Sequence, residues 1–341
     1  MRAAIFNPYL DTLGGGERYT MAFANVLVKN GYEVNVEWKD VKIKGKLEKR
    51  FGIDLGKVNF IREINRGDGY DICFWVSDGS IPLLRARRNF LHFQVPFTNV
   101  NGRSLLNRMK FFRIDKVICN SLFTKNIIDK EYGINSAVIY PPVDTKNIKP
   151  QKKEDMVLYV GRFSELLQSK RQDVLIDVFK KLYKKGFINW RLVMAGGAEV
   201  GTDDLLKKII RSAQNYPIEI KISPSYEKLI DLYGKAKLYW SASGFSVDEK
   251  KEPKKVEHFG ISVVEAMSAG AVPLVYNSGG FKEIIKNEIN GYLWSKKNEL
   301  FKKTSELINN KKLLDELSTA AKKSSMRFSY ENFEKEVFKL L

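Results

Sequence analysis

The chain has 341 residues, 44% of them hydrophobic and 12% aromatic, and it carries a net charge of +18 at pH 7. Domains usually contain about 100–200 residues, so this length predicts two domains, each with its own core. No apolar run approaches the roughly 18–20 residues that cross a bilayer, and the N-terminus reaches Pro8 too soon for a signal peptide. Cys73 and Cys119 lie in apolar runs, which favours buried thiols in a reduced, cytoplasmic protein over a disulfide or a metal site.

The first half of the chain alternates predicted strands and helices. An apolar strand over 2–7 leads through the glycine loop 14–16 to an amphipathic helix over 19–30. The loop lacks the third glycine of the dinucleotide-binding fingerprint; it suits either a phosphate at the helix N-terminus or a plain tight turn. A lysine-rich, weakly patterned stretch covers 41–66. Further strands are predicted over 33–38, 71–76, 89–95, 116–120 and 136–140, and a further helix over 121–132.

The second half repeats this architecture after a polar linker. Strands are predicted over 156–160, 190–195, 218–223 and 238–242 and in a run ending at Tyr276, and helices over 172–186, 205–215, 226–235 and 280–287. This alternation predicts an α/β fold of two Rossmann-like, doubly wound parallel-sheet domains facing a central cleft. Ligands of such sheets bind outside the carboxyl ends of the strands. The predicted domains are 1–148 and 149–324, followed by a C-terminal helix over 325–341.

Two carboxylates, Glu257 and Glu265, flank a loop at Gly260 and lie eight positions apart. Eight residues of straight helix rise about 12 Å and rotate by about 80°, so one helix face cannot present both. The pattern therefore places Glu257 on a loop and begins a helix at Ser262. Ser262-x-x-Glu265 is either a capping box, which needs no ligand, or part of a binding site.

Eight short motifs follow one another along nearly the whole chain. They are Gly14-Gly15-Gly16-Glu17-Arg18, His92, Asn120-Ser121-x-x-Thr124, Tyr140-Pro141-Pro142-Val143-Asp144, Gly161-Arg162-Phe163 with Lys170, Gly196-Gly197, Glu257-x7-Glu265 and Asn277-Ser278-Gly279-Gly280. In this order they resemble the glycosyltransferases of family 4, which are retaining enzymes with the GT-B fold. The resemblance implies transfer of a hexose from a nucleotide-diphospho-sugar to a glycan or lipid-linked hydroxyl, without a metal ion or a cofactor. It also implies that 1–148 is the acceptor-side domain, that 149–324 binds the nucleotide-sugar, and that the helix over 325–341 packs back on the first domain.

The resemblance also implies roles for individual residues. Arg162 and Lys170 would neutralise the donor diphosphate, a task suited to a guanidinium fork and an ammonium charge. Glu265 would accept the ribose hydroxyls, and Glu257 would lie beside the sugar hydroxyls. The implied catalytic residues are Glu257, Arg162, Lys170 and His92, and the implied donor-binding residues are Gly15, Gly16, Arg162, Lys170, Gly260, Ile261, Ser262, Val263 and Glu265. Two alternatives stay open: Arg171 instead of Lys170 as the cation, and a packed core imidazole at His92.

A finer resemblance concerns the donor. The motifs at 120–121, 140–142, 257–267 and 277–280 look like those of the eukaryotic α-1,2-mannosyltransferases that extend the dolichol-linked oligosaccharide from GDP-mannose. The chain differs from them in its shorter first domain, in the lack of a membrane anchor and in a charged insert over 248–255. A UDP-glucose or UDP-GlcNAc enzyme is the alternative.

The charge of +18 fits nucleic acid, an anionic membrane or a polyanionic substrate. Basic and apolar residues alternate over 85–116, which predicts peripheral attachment to an anionic membrane. The alternative is a helix whose apolar side is core. A nucleic-acid-binding protein is disfavoured because no zinc-finger spacing or aromatic platform occurs. A nicotinamide-dependent oxidoreductase, with Glu37 holding a ribose, is disfavoured by the missing glycine.

Overall fold

The computed structural model describes residues 1–164, 170–198 and 201–341. These residues form two compact units: unit 1 comprises Met1–Pro142 and Tyr330–Leu341, and unit 2 comprises Val143–Ser329. The divisions fall at 142/143 and 329/330, whereas the sequence placed them at 148/149 and 324/325. Within the described ranges no helix is long and apolar enough to span a bilayer.

Unit 1 is built on a parallel sheet of seven strands. They are β1 (Arg2–Phe6), β2 (Glu33–Glu37), β3 (Val58–Ile61), β4 (Ile72–Val76), β5 (Arg88–Phe93), β6 (Lys116–Cys119) and β7 (Ala137–Val138). Their order is β3-β2-β1-β4-β5-β6-β7. Ala4 pairs with Asn35 on one side and Cys73 on the other, so the order reverses at β1. Ligands of doubly wound sheets bind at this switch point.

Unit 1 contains five helices. They are α1 (Gly15–Lys29), α2 (Ile43–Phe51), α3 (Leu105–Phe111), α4 (Leu122–Tyr132) and, from the C-terminal segment, α12 (Tyr330–Phe338). Helix α12 adds Phe333 and Val337 to the core of unit 1. The lysine-rich stretch forms α2 because Ile43, Leu47 and Phe51 recur at i, i+4 and i+8 and are buried.

Unit 2 repeats the topology with six parallel strands. They are β8 (Glu154–Val160), β9 (Arg191–Gly196), β10 (Ile218–Ile222), β11 (Ala236–Ser241), β12 (Val272–Tyr276) and β13 (Tyr292–Trp294). Their order is β10-β9-β8-β11-β12-β13, so the switch point lies between β8 and β11. The predicted pair of parallel-sheet Rossmann-like domains is confirmed.

Seven helices accompany the sheet in the described part of unit 2. They are α5 (Gln172–Lys184), α6 (Asp203–Ala213), α7 (Tyr226–Lys235), α8 (Ile261–Ser268), α9 (Phe281–Ile284), α10 (Lys297–Asn309) and α11 (Lys311–Ser325). The helix predicted over 280–287 is only the single turn α9. Asn290 ends it, since its side chain accepts from the Lys286 N–H at 2.8 Å and donates to the Ile284 carbonyl at 3.1 Å. The core contains Trp240 and Trp294.

Candidate functional site

The predicted residues of unit 2 include a buried ion pair between Lys170 and Glu257. Lys170 Nζ lies 2.8 Å from Glu257 Oε2, and the two side chains are only 13% and 18% exposed. Burial raises the pKa of Glu257, but the charges of Lys170 and Arg162 outweigh it and hold that pKa below its ordinary 4.5. Glu257 is therefore a permanent carboxylate at neutral pH.

Arg162 and Arg171 occupy different surroundings. Arg162 follows β8, its side chain is exposed, and its carbonyl accepts from Gln172 Nε2 at 3.0 Å. Arg171 is held by Asp173, with two contacts of 2.9 Å, and donates to the Phe245 carbonyl at 3.2 Å. Lys170 and not Arg171 thus reaches the Glu257 carboxylate.

Glycines let the loops after β8 and β9 pack tightly against each other. A Cβ added at Gly196 would lie 1.8 Å from the Gly161 carbonyl oxygen, whereas a Cβ at Gly197 would meet nothing within 4 Å. The Phe163 N–H donates to the Gly197 carbonyl at 2.8 Å. The backbone on which Arg162 is mounted therefore depends on Gly196.

Alanine at these two glycines provides a matched stability test. Neither glycine has the left-handed backbone that L residues avoid. Any difference in stability between the two alanine variants therefore reflects only the space available for the added methyl group. Gly196→Ala should lower the free energy of unfolding by about 1–3 kcal/mol through overpacking. Gly197→Ala should change it by less than about 1 kcal/mol. Urea denaturation checks this; equal losses in the two variants would show that the steric argument is wrong.

The start of α8 differs from the predicted capping box. The helix begins at Ile261, after Gly260 with φ of 117°, and no side chain caps it. Glu265 lies too far along the helix to cap it. Its carboxylate is 6% exposed and accepts from Tyr233 Oη at 2.7 Å. The capping interpretation of Glu265 is therefore wrong, because a left-handed glycine moved the helix start one residue earlier than Ser262.

The loop that carries Glu257 is fixed by the glycine motif after β12. The Gly280 N–H donates to the Glu257 carbonyl at 2.8 Å. A Cβ at Gly279, whose φ is 53°, would lie 2.1 Å from that carbonyl oxygen. Glu249, from the charged insert, accepts from the Gly279 N–H at 2.8 Å and pairs with Lys282. The insert thus braces the loop behind Glu257.

Together these residues form a site for an anion next to a polar, hydroxyl-bearing group. The first N–H groups of α8, at Ile261 and Ser262, are those that an α-helix leaves without intrahelical partners, and they favour negative charge. Lys170 and Arg162 supply fixed cations, and Glu257 supplies an acceptor for hydroxyl protons. Ser262 Oγ lies 2.8 Å from Tyr239 Oη, which fixes its orientation.

In unit 1 the glycine loop forms the beginning of α1. Gly15 and Gly16 are its first two residues, and Glu17 accepts from the Gly14 N–H at 2.7 Å and from Thr12 Oγ1 at 2.8 Å. Burial raises the pKa of Glu17, against the effect of these hydrogen bonds. A Cβ at Gly16 would lie 1.8 Å from Gln94 Oε1, so the glycine makes room for that side chain.

The structure places His92 inside the core of unit 1, not at an accessible strand end. The residue is 0% exposed and stacks on Tyr19 at 4.2 Å between ring centroids. Its Nδ1 donates to the Ile118 carbonyl at 3.2 Å, and burial lowers its pKa to about 3. Nε2 has no hydrogen-bond partner among the described residues. This packing agrees with the alternative interpretation of His92 as a core imidazole, and its place near the transferred sugar stays a prediction.

The burial of His92 predicts a specific dependence of stability on pH. Its folded-state pKa of about 3 lies below the ordinary 6.5, so the unfolded chain binds the extra proton. The stabilisation is complete above pH 6.5 and is lost progressively towards pH 3. The free energy of unfolding should be about 2 kcal/mol lower at pH 5 than at pH 7.5 because of this residue. In urea titrations the His92→Leu variant should not show this difference in the free energy of unfolding between pH 5 and pH 7.5. If the variant showed the same pH dependence as the wild type, the assignment to His92 would be wrong.

Unit 1 contains a cavity that the sequence did not predict. It has a volume of about 440 Å³ and opens at the carboxyl ends of β1 and β2. Its lining combines aromatic, acidic and basic side chains: Phe6, Asn7, Pro8, Glu37, Trp38, Lys39, Asp40 and Arg62. An indole beside carboxylates and a guanidinium suits a sugar with hydroxyls and an attached phosphate. The available signal was Trp38-Lys39-Asp40 at the end of a predicted strand.

In the part of the chain that the structure describes, no group of three or more His, Cys, Asp or Glu side chains is arranged to hold a metal ion. Cys73 and Cys119 are buried and unpaired with each other, and burial raises the pKa of each thiol to about 12.

Two doubly wound parallel sheets of the same topology, one in each unit, are the architecture of the GT-B fold. Residues 143–324, more than half of the chain, match the family described as glycosyl transferases group 1. Residues 13–147 match glycosyltransferase family 4. The chain belongs to the glycosyl transferases group 1 family, and the predicted enzyme class is confirmed.

Several relatives and solved structures are similar to the chain. A GDP-Man:Man(3)GlcNAc(2)-PP-Dol alpha-1,2-mannosyltransferase of Dictyostelium discoideum is 29% identical over 66% of this chain and 46% of that protein. An alpha-1,3/1,6-mannosyltransferase of Yarrowia lipolytica is 27% identical over 88% of this chain and 82% of that protein. The crystal structure of Anabaena HepE in complex with UDP and glucose has a TM-score of 0.78 at 17% identity, covering 100% of this chain and 99% of that one. The chain spans about half the length of the Dictyostelium relative.

Proposed function

We propose that the protein transfers mannose from GDP-mannose to a hydroxyl of a glycan or lipid-linked acceptor, with retention of configuration and without a metal ion. The observation that carries the proposal is the buried Lys170–Glu257 pair beside Arg162 at the start of α8. Two mannosyltransferase relatives from Dictyostelium and Yarrowia support mannose as the sugar. The nucleic-acid alternative rests on the net charge of +18 alone.

In this proposal each residue acts on a particular group of the donor. Arg162 and Lys170 bind the diphosphate, on which negative charge develops as the bond from the sugar C1 to the phosphate oxygen breaks. The N–H groups of Ile261 and Ser262 face the phosphates and the sugar after the turn at Gly260, and the Val263 N–H, which donates to the Gly260 carbonyl at 3.1 Å, holds that turn. Glu257 accepts protons of sugar hydroxyls, and Glu265 accepts those of the ribose.

The proposed transfer step is a substitution on one face of the sugar, which retains the configuration at C1. The acceptor oxygen bonds to C1 on the face from which the diphosphate leaves, and the acceptor proton passes to the leaving phosphate oxygen. Fixed cations stabilise that oxygen more in the transition state than in the ground state, which is why they accelerate the step. The cavity of unit 1 lined by Trp38, Glu37 and Arg62 supplies a surface for the acceptor.

Thermal-shift titration with GDP, UDP, ADP and NAD tests the proposal. A ligand at 100 times its dissociation constant stabilises the fold by about 2.7 kcal/mol. We expect the largest shift with GDP, followed by release of mannose from GDP-mannose in the absence of acceptor. A larger shift with UDP would favour a UDP-glucose or UDP-GlcNAc enzyme, in line with the UDP and glucose bound to HepE. A shift with NAD alone would overturn glycosyl transfer.

We also propose that α3 attaches the protein to an anionic membrane surface. Four apolar side chains of α3 and its C-terminal end are exposed and not part of a core: Leu105 75%, Leu106 62%, Met109 60% and Phe112 90%. Phe111 packs against the core of unit 1 instead. Arg103, Arg108 and Arg113 are exposed around the four apolar side chains. Apolar anchors surrounded by cations suit the interface of an anionic bilayer, where each cation contributes about 1 kcal/mol. The alternative, an apolar side of α3 buried as core, is wrong for these four residues.

Flotation with vesicles containing phosphatidylglycerol checks this attachment. The wild-type protein should float at low salt and be released by added salt. Phe112→Ser should weaken binding several-fold, while Ile188→Ser, at a residue 61% exposed in unit 2, should not change it. An equal effect of both substitutions, or binding insensitive to salt, would contradict attachment through α3.

A further inference from the structure

Strand β10 lies at the outer edge of the sheet that the described residues of unit 2 form. All five of its residues are at least partly exposed, whereas the neighbouring β9 is buried from Leu192 to Gly196. An edge strand presents a row of N–H and C=O groups on which another strand can pair. The sequence and the outward-facing groups of β10 determine which strand can pair with this edge.

The hydrogen bonds to β9 show which residues of β10 face outward. Leu192 N–H donates to the Pro217 carbonyl at 2.9 Å, and Ser223 N–H donates to the Gly196 carbonyl at 2.7 Å. Residues with odd numbers therefore direct both backbone groups towards β9, and those with even numbers direct them outward, as parallel pairing requires. Ile220 and Ile222 each present an N–H and a C=O at the edge. Ile218 presents its C=O, since its N–H donates to the Tyr216 carbonyl at 2.7 Å.

The sequence of β10 is complementary to itself in an antiparallel arrangement. It reads Ile218-Glu219-Ile220-Lys221-Ile222. A twofold axis at Ile220 places Glu219 opposite Lys221 of a second copy, and Ile218 opposite Ile222. Opposite charges on directly opposed residues stabilise a strand pair, and like charges destabilise it. About the same axis, the outward N–H and C=O of Ile220 pair with the C=O and N–H of Ile220 in the second copy. One alignment of the two strands therefore satisfies both the charge pairs and the hydrogen bonds.

An apolar groove continues this edge on one face of the sheet. It has a volume of about 400 Å³ and is lined by Ile218, Ile220 and Ile222 of β10 and by Ile210, Ala213 and Tyr216. Ile210 is 43% exposed and Ile222 is 47% exposed. Exposed contiguous apolar surface of this kind marks an interaction site. In the twofold arrangement the isoleucines of both copies form one row, which covers the groove.

We propose that two copies of the chain associate through β10, in antiparallel pairing about a twofold axis at Ile220, to form one continuous twelve-stranded sheet. The interface is isologous: each copy contributes the same strand, groove and charges. Glu219 keeps its contacts with Arg191 and Lys221 of its own chain and gains Lys221 of the partner subunit. The dimer does not depend on the identity of the donor or the acceptor.

Charge reversals on the full chain test the proposal by sedimentation velocity over a range of protein concentrations. Wild-type protein should dimerise. Glu219→Lys and Lys221→Glu each turn two attractive contacts into two repulsive ones and should weaken the dimer about 10- to 100-fold. The double variant E219K/K221E restores both contacts and should restore the dimer. Lys312→Glu, an 89% exposed lysine on α11, is the matched control and should leave dimerisation unchanged.

A mixing experiment separates loss of pairing from loss of folding. E219K alone carries two lysines and K221E alone carries two glutamates, so neither should form a dimer with itself. Mixed together, the two variants should form a heterodimer, because every cross-copy contact is then attractive. Wild-type protein that stays monomeric at the highest concentration would overturn the proposal. So would a dimer that K221E does not weaken, or variants whose mixture stays monomeric.

Discussion

Replacing Arg162 with alanine should lower kcat/KM for sugar transfer by about 10²- to 10³-fold. One fixed group that stabilises developing charge in a transition state is typically worth this much. The free energy of unfolding should change little, because the Arg162 side chain is exposed. Initial rates with the donor identified by thermal shift, together with urea denaturation, measure both quantities.

Arg171→Ala is the matched control for this substitution. The residue is also an arginine near β8, but Asp173 and the Phe245 carbonyl hold its guanidinium. Its removal should lower kcat/KM by less than about tenfold, since positioning alone is affected. Similar losses of kcat/KM in both variants would show that Arg162 contributes only positive charge near the site and no specific contact with the diphosphate. Wild-type turnover in Arg162→Ala would refute its role at the diphosphate.

The second large effect is expected for Glu257→Gln. Glutamine keeps the volume of the side chain but removes the charge opposite Lys170, which is only 13% exposed. A neutral amide in place of the charged acceptor for sugar hydroxyls, together with an uncompensated ammonium, should lower kcat/KM by at least about 100-fold. Because the pKa of Glu257 is lowered, the ion pair stabilises the fold fully above pH 4.5. In the wild type this contribution to the free energy of unfolding disappears only as the pH falls below 4.5. The Glu257→Gln variant should therefore show a smaller fall in the free energy of unfolding at acidic pH than the wild type.

Glu249→Gln provides the control for Glu257→Gln. Glu249 belongs to the charged insert and binds the same loop through the Gly279 N–H and Lys282. Glutamine can still accept the Gly279 hydrogen bond, so activity should stay within about tenfold of wild type. If Glu249→Gln were as inactive as Glu257→Gln, bracing of the loop and not the charge of Glu257 would explain the loss.

The sequence predicted the architecture well because hydrophobic periodicity determines which face of an element is buried. Runs such as 72–76 and 156–160 are apolar throughout, as strands covered on both faces must be. The stretch over 41–66 was left unassigned because its lysines obscured three buried residues, Ile43, Leu47 and Phe51. Local pattern fails where most residues of an amphipathic helix are charged.

Details of the site depended on contacts between residues far apart in the chain. The pairing of Lys170 with Glu257 joins positions 87 residues apart, and no local pattern encodes it. The capping box failed because a single left-handed residue, Gly260, shifted the beginning of α8. His92 lies in a strand with Leu91 and Phe93, and only the packing of Tyr19 on its ring shows that it is core. The catalytic roles of Arg162, Lys170 and Glu257 stay predictions.

The arrangement of α12 has a consequence for synthesis on the ribosome. Unit 2 is one continuous segment whose ends lie side by side, since the Val143 N–H donates to the Phe328 carbonyl at 2.8 Å. Unit 1 begins first but takes Phe333 and Val337 from α12, which is translated after the whole of unit 2. Part of the core of unit 1 is therefore uncovered while unit 2 is synthesised. During that interval Tyr19 lacks the edge of Phe333, which packs on it at 5.1 Å between ring centroids, and nascent chains should be most open to chaperones at this surface.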